Sequence, residues 1–469
     1  MDWIQVLVAM KFELVLTALI FALLIIKING KASNASVLVF ANVVLVLNMA
    51  VGFFANEPAQ LFGEMFHTGG FIAIEKSILN LALLIISLFS YNWLLKHKHA
   101  VEFYLLMLSC QLGMFFMLSS GNLLMFYLGL ELSSIPLAAL CNFDLEKKAS
   151  GESALKMILS SAFSSAILLF GISLVYGSTG TLDFSQLAVN FAGSQLQILA
   201  LVVVFTGFAF KLSVVPFHLW TADVYEGAPV SVTAYLSVVS KGAMAFAFVS
   251  AFYMAFGAMA HVWFYMLSAG AVISMIVGNL FALRQDNLKR FLAFSSIAQM
   301  GYLLIGIGSV SQIGIASVVY FILVYVFSNL AAFGVIAMIS ALTGRETISG
   351  YKGLYKSNPG LALLMALSLF SLAGIPPTAG FFGKLFLLTA GAGTGQWWLI
   401  IIAALNLMVS LYYYLRIVRA MFVDESSEPM PKLNYAAPVL VALILCAAGI
   451  LVTGMAGRTF DVIFEWVVK

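Results

Sequence analysis

The sequence predicts an all-α integral membrane protein with about fourteen transmembrane helices, on the evidence of its composition and its recurring apolar runs. Hydrophobic residues make up 62% of the 469 residues and charged residues only 9%, whereas charged residues form about a quarter of a typical soluble domain. Apolar runs of the roughly 20 residues that a membrane-spanning helix needs recur along the whole chain. No polar stretch is long enough to fold separately, so residues 1-469 are expected to form a single membrane domain.

Each apolar run is bounded by charged residues, glycine or proline, and is interpreted as one transmembrane helix. The fourteen runs lie near 12-27, 35-54, 72-95, 101-118, 121-141, 153-176, 196-217, 229-254, 259-282, 288-308, 312-342, 360-391, 397-421 and 435-456. The start of the chain lacks the small-residue cleavage pattern of a removable signal peptide, so the first helix is expected to remain in the protein.

The loop charges test this count, because short cytoplasmic loops of membrane proteins are enriched in lysine and arginine. With fourteen spans, fifteen of the 23 basic residues fall in loops on one side of the membrane and three on the other. Adding or removing a central span would exchange the sides downstream of it and blur this asymmetry. The partition therefore favours fourteen spans, and it predicts that both termini lie on the non-cytoplasmic side.

The composition argues against several other functions. Cys110, Cys141 and Cys446 lie far apart inside apolar segments, without the spacing of a zinc site or a disulfide framework, so they are interpreted as packing residues. The net charge of +3 does not indicate nucleic-acid binding. The GAGTG motif at 391-395 lacks the preceding strand of a dinucleotide-binding fingerprint. We expect no metal site, haem or iron–sulfur centre in this chain.

The most informative residues are charges inside the apolar runs. A charge at the centre of a spanning helix costs about 2.5 to 3.5 kcal/mol on insertion scales, so several in one chain need partners or water. Glu131, in FYLGLELSSIP, and Lys241, in TAYLSVVSKGAMAFAF, lie too deep for their side chains to reach the headgroups. Seven charges inside the apolar runs are singled out, namely Glu75, Lys76, Glu131, Lys156, Lys211, Lys241 and Lys384.

Two of the apolar runs contain prolines that predict broken helices. In FKLSVVPFHLW, Pro216 has no backbone N–H and its ring crowds the carbonyl four residues earlier, so the helix is expected to break after Lys211. In LFSLAGIPPTAGFFGKLFLL, Pro376 and Pro377 have the same effect ahead of Lys384. Interrupted helices at corresponding places in two halves are typical of inverted-repeat transporters with a site near the membrane midplane.

Three further positions have structural alternatives to a functional role. Lys156 lies one turn inside Glu152, and it either takes part in proton transfer or extends towards the headgroups. Glu75 and Lys76 fall near a helix end and are expected to pair with each other. His218 either relays protons, because imidazole titrates near neutral pH, or caps carbonyls that the break sets free.

Three segments of the chain resemble a known family. FKLSVVPFHLWTADVYEGAPVSVTAYLSVVSKGA, RQDNLKRFLAFSSIAQMGYLL and SLAGIPPTAGFFGK resemble the N subunit of bacterial NADH:quinone oxidoreductase, respiratory complex I. The resemblance extends through nearly the whole chain. It implies an antiporter-like membrane subunit with two inverted five-helix repeats, at 101-254 and 259-422, in which the seventh and twelfth helices of the chain are broken.

The resemblance also implies roles for four of the buried charges. Glu131, Lys211, Lys241 and Lys384 correspond to a glutamate on the fifth helix and lysines on the seventh, eighth and twelfth helices, which form the family's polar axis for proton translocation. Lysine at position 384 separates this chain from the M-type relative, which usually carries glutamate there. Gln299, in SSIAQMGY, is a departure, because relatives often have histidine. A relay through that position would need water or another group.

The resemblance also implies a function, cofactors in other subunits and partner subunits. The expected function is proton translocation coupled to quinone reduction elsewhere in a proton-translocating NADH:quinone oxidoreductase, with FMN, iron–sulfur clusters and quinone in other subunits. The expected partners are lipid, the M-type antiporter-like subunit and the small K-, J- and A-type subunits, in the bacterial cytoplasmic (inner) membrane. Two alternatives stay open: a subunit of a multisubunit cation/proton antiporter that uses the same lysines, and a non-conducting scaffold.

Overall fold

The computed structural model describes residues 3–30, 32–54, 56–426 and 428–468. Within these residues, thirteen continuous helices are long and apolar enough to cross a membrane. Two shorter apolar helices, Pro359–Ala373 and Ala379–Ala392, together occupy the predicted span 360-391. These helices confirm the all-α membrane fold that the sequence predicts.

Helices account for nearly all of the regular structure. The helices of the first half are α1 (Trp3–Ala9), α2 (Lys11–Asn29), α3 (Asn34–Val51), α4 (Gly70–Phe89), α5 (Tyr91–Lys96), α6 (Ala100–Leu118), α7 (Leu123–Cys141), α8 (Lys148–Thr179), α9 (Phe184–Asn190), α10 (Gln195–Leu212) and α11 (Leu219–Gly227). Those of the second half are α12 (Val230–Tyr235), α13 (Lys241–Ala255), α14 (Ala260–Ala282), α15 (Leu288–Gly308), α16 (Gln312–Thr343), α17 (Leu354–Ser357), α18 (Pro359–Ala373), α19 (Ala379–Ala392), α20 (Trp397–Phe422), α21 (Ala437–Met455) and α22 (Arg458–Val468).

Several short elements interrupt or connect the helices. A π-helical turn at Leu236–Ser240 joins α12 to α13. Two 3-10 turns lie at Gly257–Met259 and Ser349–Tyr351. Between α3 and α4, β1 (Ala59–Leu61) and β2 (Phe66–Thr68) form an antiparallel hairpin. Neither this hairpin nor the π-helical turn is predicted from the apolar runs.

The chain divides into two compact units. The first contains the described residues within 1–84, 94–212 and 240–263, and the second those within 85–93, 213–239 and 264–469. The relation of residues 101-254 to residues 259-422 by an inverted repeat stays a prediction. Each of these segments contains a 32-residue helix, α8 and α16 respectively, followed by a broken helix.

In the first unit, the close approach of α6 and α7 depends on glycine. A Cβ atom at Gly113 would lie 2.5 Å from the backbone nitrogen of Ser133, and one at Gly129 would lie 2.6 Å from the backbone nitrogen of Met117. Both distances are shorter than a nonbonded contact allows. Small residues let membrane helices pack backbone to backbone in this way, and α7 thereby presents its polar residues to the interior.

In the second unit, α15 and α16 form the centre of the core. The apolar part of α15 is buried along its whole length, and most of α16 is buried as well. The polar groups at this depth find partners inside the protein: the Tyr320 hydroxyl donates to the carbonyl of Thr453 at 2.8 Å, and Ser368 donates to the carbonyl of Ser328 at 2.7 Å. A buried helix with satisfied hydroxyls can hold further polar groups without exposing them to lipid.

The first predicted break lies between α10 and α11. Helix α10 ends at Leu212, and α11 begins at Leu219. Pro216 lies in the segment between them, where it cannot continue a helix. In the second unit, the backbone N–H of Val215 donates to the hydroxyl of Ser274 at 3.0 Å, which satisfies one group that the break sets free.

The second predicted break lies between α18 and α19 and depends on two glycines. Gly374 ends α18 with a φ of 87°, a left-handed conformation that favours glycine. Gly380 follows the prolines, and a Cβ atom there would lie 1.8 Å from the carbonyl oxygen of Ser371. The start of α19 can therefore lie directly against the end of α18.

Gly129→Ala is expected to destabilise the chain, because the added methyl group collides with the backbone of α6. The expected loss is about 1 to 3 kcal/mol in the free energy of unfolding. Gly177→Ala, in α8 of the same unit, is the matched control, because a Cβ atom there meets nothing within 4 Å. Thermal unfolding of the purified chain in detergent measures both. Equal unfolding midpoints for the two variants would contradict the close packing of α6 on α7.

Candidate functional site

Lys211 lies in the last turn of α10 and is almost completely buried, with 7% of the residue exposed. Its ammonium group donates to the hydroxyl of Ser134 on α7 at 2.6 Å and to the hydroxyl of Ser161 on α8 at 3.3 Å. A buried charge needs such partners, because it has left the water that would otherwise solvate it. Three helices of the first unit thus meet at this amine.

Glu131 lies one turn before Ser134 on α7 and is half-buried. It is close enough to Lys211 for their charges to attract each other. Its Oε1 atom is buried and accepts no hydrogen bond from the described residues. Within the described residues, the hydrogen bonds of the Lys211 amine thus go to two serines and not to this carboxylate.

Lys241 begins α13, directly after the π-helical turn, and only 1% of it is exposed. Ser240, the preceding residue, lines a small cavity of about 10 Å³ together with Lys211 and Ser133. That is about the space that one water molecule needs. The cavity brings Lys211 and the start of α13 to one place in the first unit.

Lys384 lies in α19 of the second unit, with 3% of the residue exposed. Its amine donates to the backbone carbonyls of Leu372 at 2.6 Å and Ala373 at 3.4 Å, in the last turn of α18. The last carbonyls of a helix have no partner within the helix and carry its negative dipole end, so they suit a cation. The break in the helix therefore supplies the binding partners of this lysine.

The surroundings of Lys384 combine an aromatic ring with polar side chains. The Nζ atom lies 4.9 Å from the ring centre of Tyr302, within the range of a cation–π contact. Gln299 also donates to the carbonyl of Leu372, at 3.0 Å, and to the hydroxyl of Tyr414, at 3.2 Å. Gln299, the position at which relatives often carry histidine, thus lies next to Lys384.

The two weaker candidates have different locations. Lys156, in α8, forms an ion pair with Glu152 at 2.6 Å, and its side chain is 40% exposed. His218 is buried at the start of α11 in the second unit. A role of Lys156 and His218 in proton transfer stays a prediction.

The expected pairing of Glu75 with Lys76 is wrong. The amine of Lys76 instead forms an ion pair with Glu13 at 2.5 Å and donates to the hydroxyl of Ser119 at 2.6 Å. Both Glu75 and Lys76 are completely buried, so neither lies at an exposed helix end. The side chains of adjacent residues in a helix point about 100° apart, so Lys76 does not face Glu75. Its partners come instead from α2 and α6, which approach Lys76 from the side.

Sequence reasoning missed the partners of the buried amines. Glu13 lies in the first turn of α2, where a single acidic residue resembles an ordinary helix end. Ser134 and Ser161 give no compositional signal, because hydroxyl residues are common in membrane helices and cost little to bury when they bond a nearby carbonyl. Which hydroxyls face an amine depends on how the helices pack.

Comparison with known proteins defines the class of this chain. Residues 120–410 match the family model described as NADH:quinone oxidoreductase/Mrp antiporter, transmembrane. A solved Mrp complex from Dietzia shares the fold, with a TM-score of 0.80 over 99% of this chain and 94% of the other at 22% identity. The fold and the family model together define an antiporter-like membrane subunit.

Relatives of higher identity define the subunit type. The NADH-quinone oxidoreductase subunit N of Phocaeicola vulgatus is 47% identical over 414 residues, which cover 87% of this chain and 88% of the relative. A chain of respiratory complex I from Thermus thermophilus has a TM-score of 0.81 at 30% identity, with 95% and 98% coverage. This chain belongs to the family of N subunits of bacterial NADH:quinone oxidoreductase, as its motifs predict.

The buried ion pair gives a prediction for stability. Lys76→Met is expected to destabilise the chain by about 3 to 5 kcal/mol, because it leaves the carboxylate of Glu13 buried without a counter-charge. Adding Glu13→Gln to Lys76→Met should restore most of that loss. Chemical unfolding of the purified chain in detergent measures the free energies.

The exposed pair of Lys147 and Asp144 provides the control. The side chain of Lys147 is 70% exposed, so Lys147→Met should change the free energy of unfolding by less than about 1 kcal/mol. If Lys76→Met were no more destabilising than Lys147→Met, the buried pair would not hold the first unit together.

Proposed function

We propose that this chain carries protons across the bacterial cytoplasmic (inner) membrane, as a non-redox subunit of a proton-translocating NADH:quinone oxidoreductase. The observation that carries the proposal is the burial of three lysines in helices of a membrane protein, with 7% of Lys211, 1% of Lys241 and 3% of Lys384 exposed. Ionisable groups at such depth are costly and mark ion pathways and proton relays in membrane proteins. A scaffold would not need them.

The partners of Lys211 suit an amine that gains and loses a proton. A serine hydroxyl accepts a hydrogen bond from the ammonium form and can rotate to donate one to the neutral amine. Ser134 and Ser161 can therefore bond Lys211 in both states. The charge of Glu131 sets the balance: its approach favours the ammonium form, and its withdrawal leaves only the cost of burial, which favours release of the proton.

The proposed path runs from the cytoplasm to Lys211 and Lys241, and then through bound water towards Lys384 and an exit on the other side, where both termini also lie. The small cavities next to Lys211 and Lys384, each of about 10 Å³, support the involvement of single water molecules. The last carbonyls of α18 would hold the proton on Lys384 before it leaves.

The free energy for this transport must come from other subunits. Moving one charge against 100 mV requires about 2.3 kcal/mol. In this proposal, FMN, iron–sulfur clusters and quinone lie elsewhere in the complex. The free energy of quinone reduction reaches Glu131 through the partner subunits, which are the M-type subunit and the K-, J- and A-type subunits. All of these subunits lie in the same lipid membrane.

Lys211→Met and Glu131→Gln should abolish proton pumping and the NADH oxidation coupled to it, because the first removes the proton carrier and the second removes the charge that controls it. The assembled complex is reconstituted into vesicles, and protons moved per NADH oxidised are measured with a pH-sensitive dye. Native gels verify assembly. Lys356→Met is the control, because Lys356 is exposed and pairs with Glu425 at 2.9 Å.

Unchanged proton-to-electron stoichiometry in an assembled Lys211→Met complex would refute the assignment. Exchange of sodium or potassium for protons by the isolated chain would instead favour the alternative, a cation/proton antiporter.

Lys211→Arg should fail as well, although it keeps the positive charge. A guanidinium stays protonated at all physiological pH values, so it binds the site but cannot release a proton there. Pumping should fall to the level of Lys211→Met, while Lys356→Arg should leave it unchanged. Normal pumping by Lys211→Arg would mean that position 211 needs only a fixed charge.

A further inference from the structure

The amine of Lys384 lies against the face of an aromatic ring. Its Nζ atom is 4.9 Å from the ring centre of Tyr302, on α15. Only 1% of Tyr302 and 3% of Lys384 are exposed, so bulk water does not screen the contact. The face of an aromatic ring carries partial negative charge, which attracts an ammonium group far more strongly than a neutral amine. The ring therefore favours the protonated form of Lys384.

The neighbouring helices contain no carboxylate that could take over this role. The helices that pack most closely on α19 are α15, α16, α18, α20 and α21. Neither these helices nor α19 itself contain aspartate or glutamate. Lys211, by contrast, has Glu131 close enough to attract its charge. Because these helices offer Lys384 no counter-charge, its ammonium form depends on the ring and on the carbonyls at the end of α18.

The titratable groups around Lys384 are uncharged near neutral pH. Tyr302 contacts the amine, Tyr325 on α16 lines the same small cavity, and Tyr414 on α20 lies one hydrogen-bonded side chain further away. Helix α18 has no titratable side chain, and the one on α21 is the thiol of Cys446. The basic residues of α15 and α20 bond carboxylates and carbonyls elsewhere: Lys289, Arg290, Arg416 and Arg419. A change in the ring at position 302 therefore acts against a constant electrostatic background.

The ring of Tyr302 is held in place from its far end. Its hydroxyl donates to the carbonyl of Ala403, on α20, at 3.3 Å, and it also bonds the side chain of Asn279, on α14. Gly374 leaves room for the lysine, because a Cβ atom there would lie only 3.3 Å from the Cδ atom of Lys384. The amine can thus contact the ring and the carbonyls of α18 at the same time.

On the basis of the proposed function, we propose that Tyr302 is a positioning residue whose ring sets the proton affinity of Lys384. The ring stabilises the ammonium form, so it determines the pH range in which the lysine takes up and releases its proton. A desolvated contact of this kind accounts for about a tenfold difference in proton affinity or more. No proton passes through Tyr302, and its hydroxyl keeps its own hydrogen bonds.

A series of rings at position 302 tests this role. Tyr302→Phe keeps the aromatic face and removes only the hydroxyl, so the pH profile of NADH-driven pumping by the reconstituted complex should stay unchanged. Phenylalanines that carry successively more fluorine atoms keep the shape of the ring and remove negative charge from its face. Each should move the pumping profile further towards lower pH, because the ammonium form of Lys384 becomes less stable. The most fluorinated ring should give a shift of about one pH unit.

The same fluorinated residues at position 320 are the matched control. Tyr320 is a buried tyrosine of the second unit whose ring packs against Phe386 and Phe460. Fluorination there should leave the pH profile unchanged, and native gels verify assembly of every variant. Identical profiles for all rings at position 302 would overturn the proposal. A lower pumping rate without a shift in pH would also overturn it, because the ring would then only fill space.

Lys384→Met separates this inference from the proposed function. If Lys384→Met pumps normally, the proposed function fails, whatever the rings at position 302 do. If Lys384→Met is inactive while every ring at position 302 gives the same pH profile, Tyr302 does not set the proton affinity of Lys384 and the proposed function stands.

Discussion

The cost of placing an ionisable amine in a medium without water is the constraint on which the rest of this structure depends. Lys211, Lys241 and Lys384 are buried inside a membrane protein, and each unsatisfied charge there would cost several kcal/mol. The structure meets this cost with nearby neutral groups: serine hydroxyls around Lys211 and backbone carbonyls around Lys384. Neutral partners stabilise a charge without cancelling it, so the amine remains able to change its protonation state.

Interrupted helices follow from the same constraint. A continuous helix uses its own carbonyls and has none to offer to a neighbouring side chain. By ending α18 at Ala373 and starting α19 at Ala379, the chain frees carbonyls inside the core and brings Lys384 to them. The glycines at 374 and 380 make the approach possible, because a side chain at either position would be strained or would collide. Lipid cannot solvate such free carbonyls, and Leu372 and Ala373, which supply them to Lys384, are buried.

The features that depend on composition could be predicted from the sequence. The spans follow from the length of the apolar runs, and the breaks follow from Pro216, Pro376 and Pro377, because both effects are local. The partners of the buried charges could not be predicted, because they come from other helices. Thus Glu75 was the obvious neighbour of Lys76, yet Glu13 pairs with it from more than sixty residues away.

A buried hydroxyl network in the second unit is a second example of this limit. Tyr325, Ser237 and Asn329 lie on two helices that are distant in sequence, and each residue type is unremarkable in a membrane helix. Their convergence depends on the π-helical turn at Leu236–Ser240, which no propensity scale predicts. A departure such as Gln299 is visible in the sequence, but its role as a double donor requires the positions of Leu372 and Tyr414.

The length of α8 has a consequence for Lys156. At 1.5 Å per residue, its 32 residues span about 48 Å, while the hydrocarbon layer is about 30 Å thick. Fitting the helix inside that layer would require a tilt of about 50°, beyond the range of roughly 0 to 40° seen for membrane helices. The surplus turns must therefore stand in the headgroup layer, and the polar start of α8, with Glu152, supplies them. Lys156 begins about 12 Å from that end, so its ion pair with Glu152 lies towards the end of the helix that holds these surplus turns.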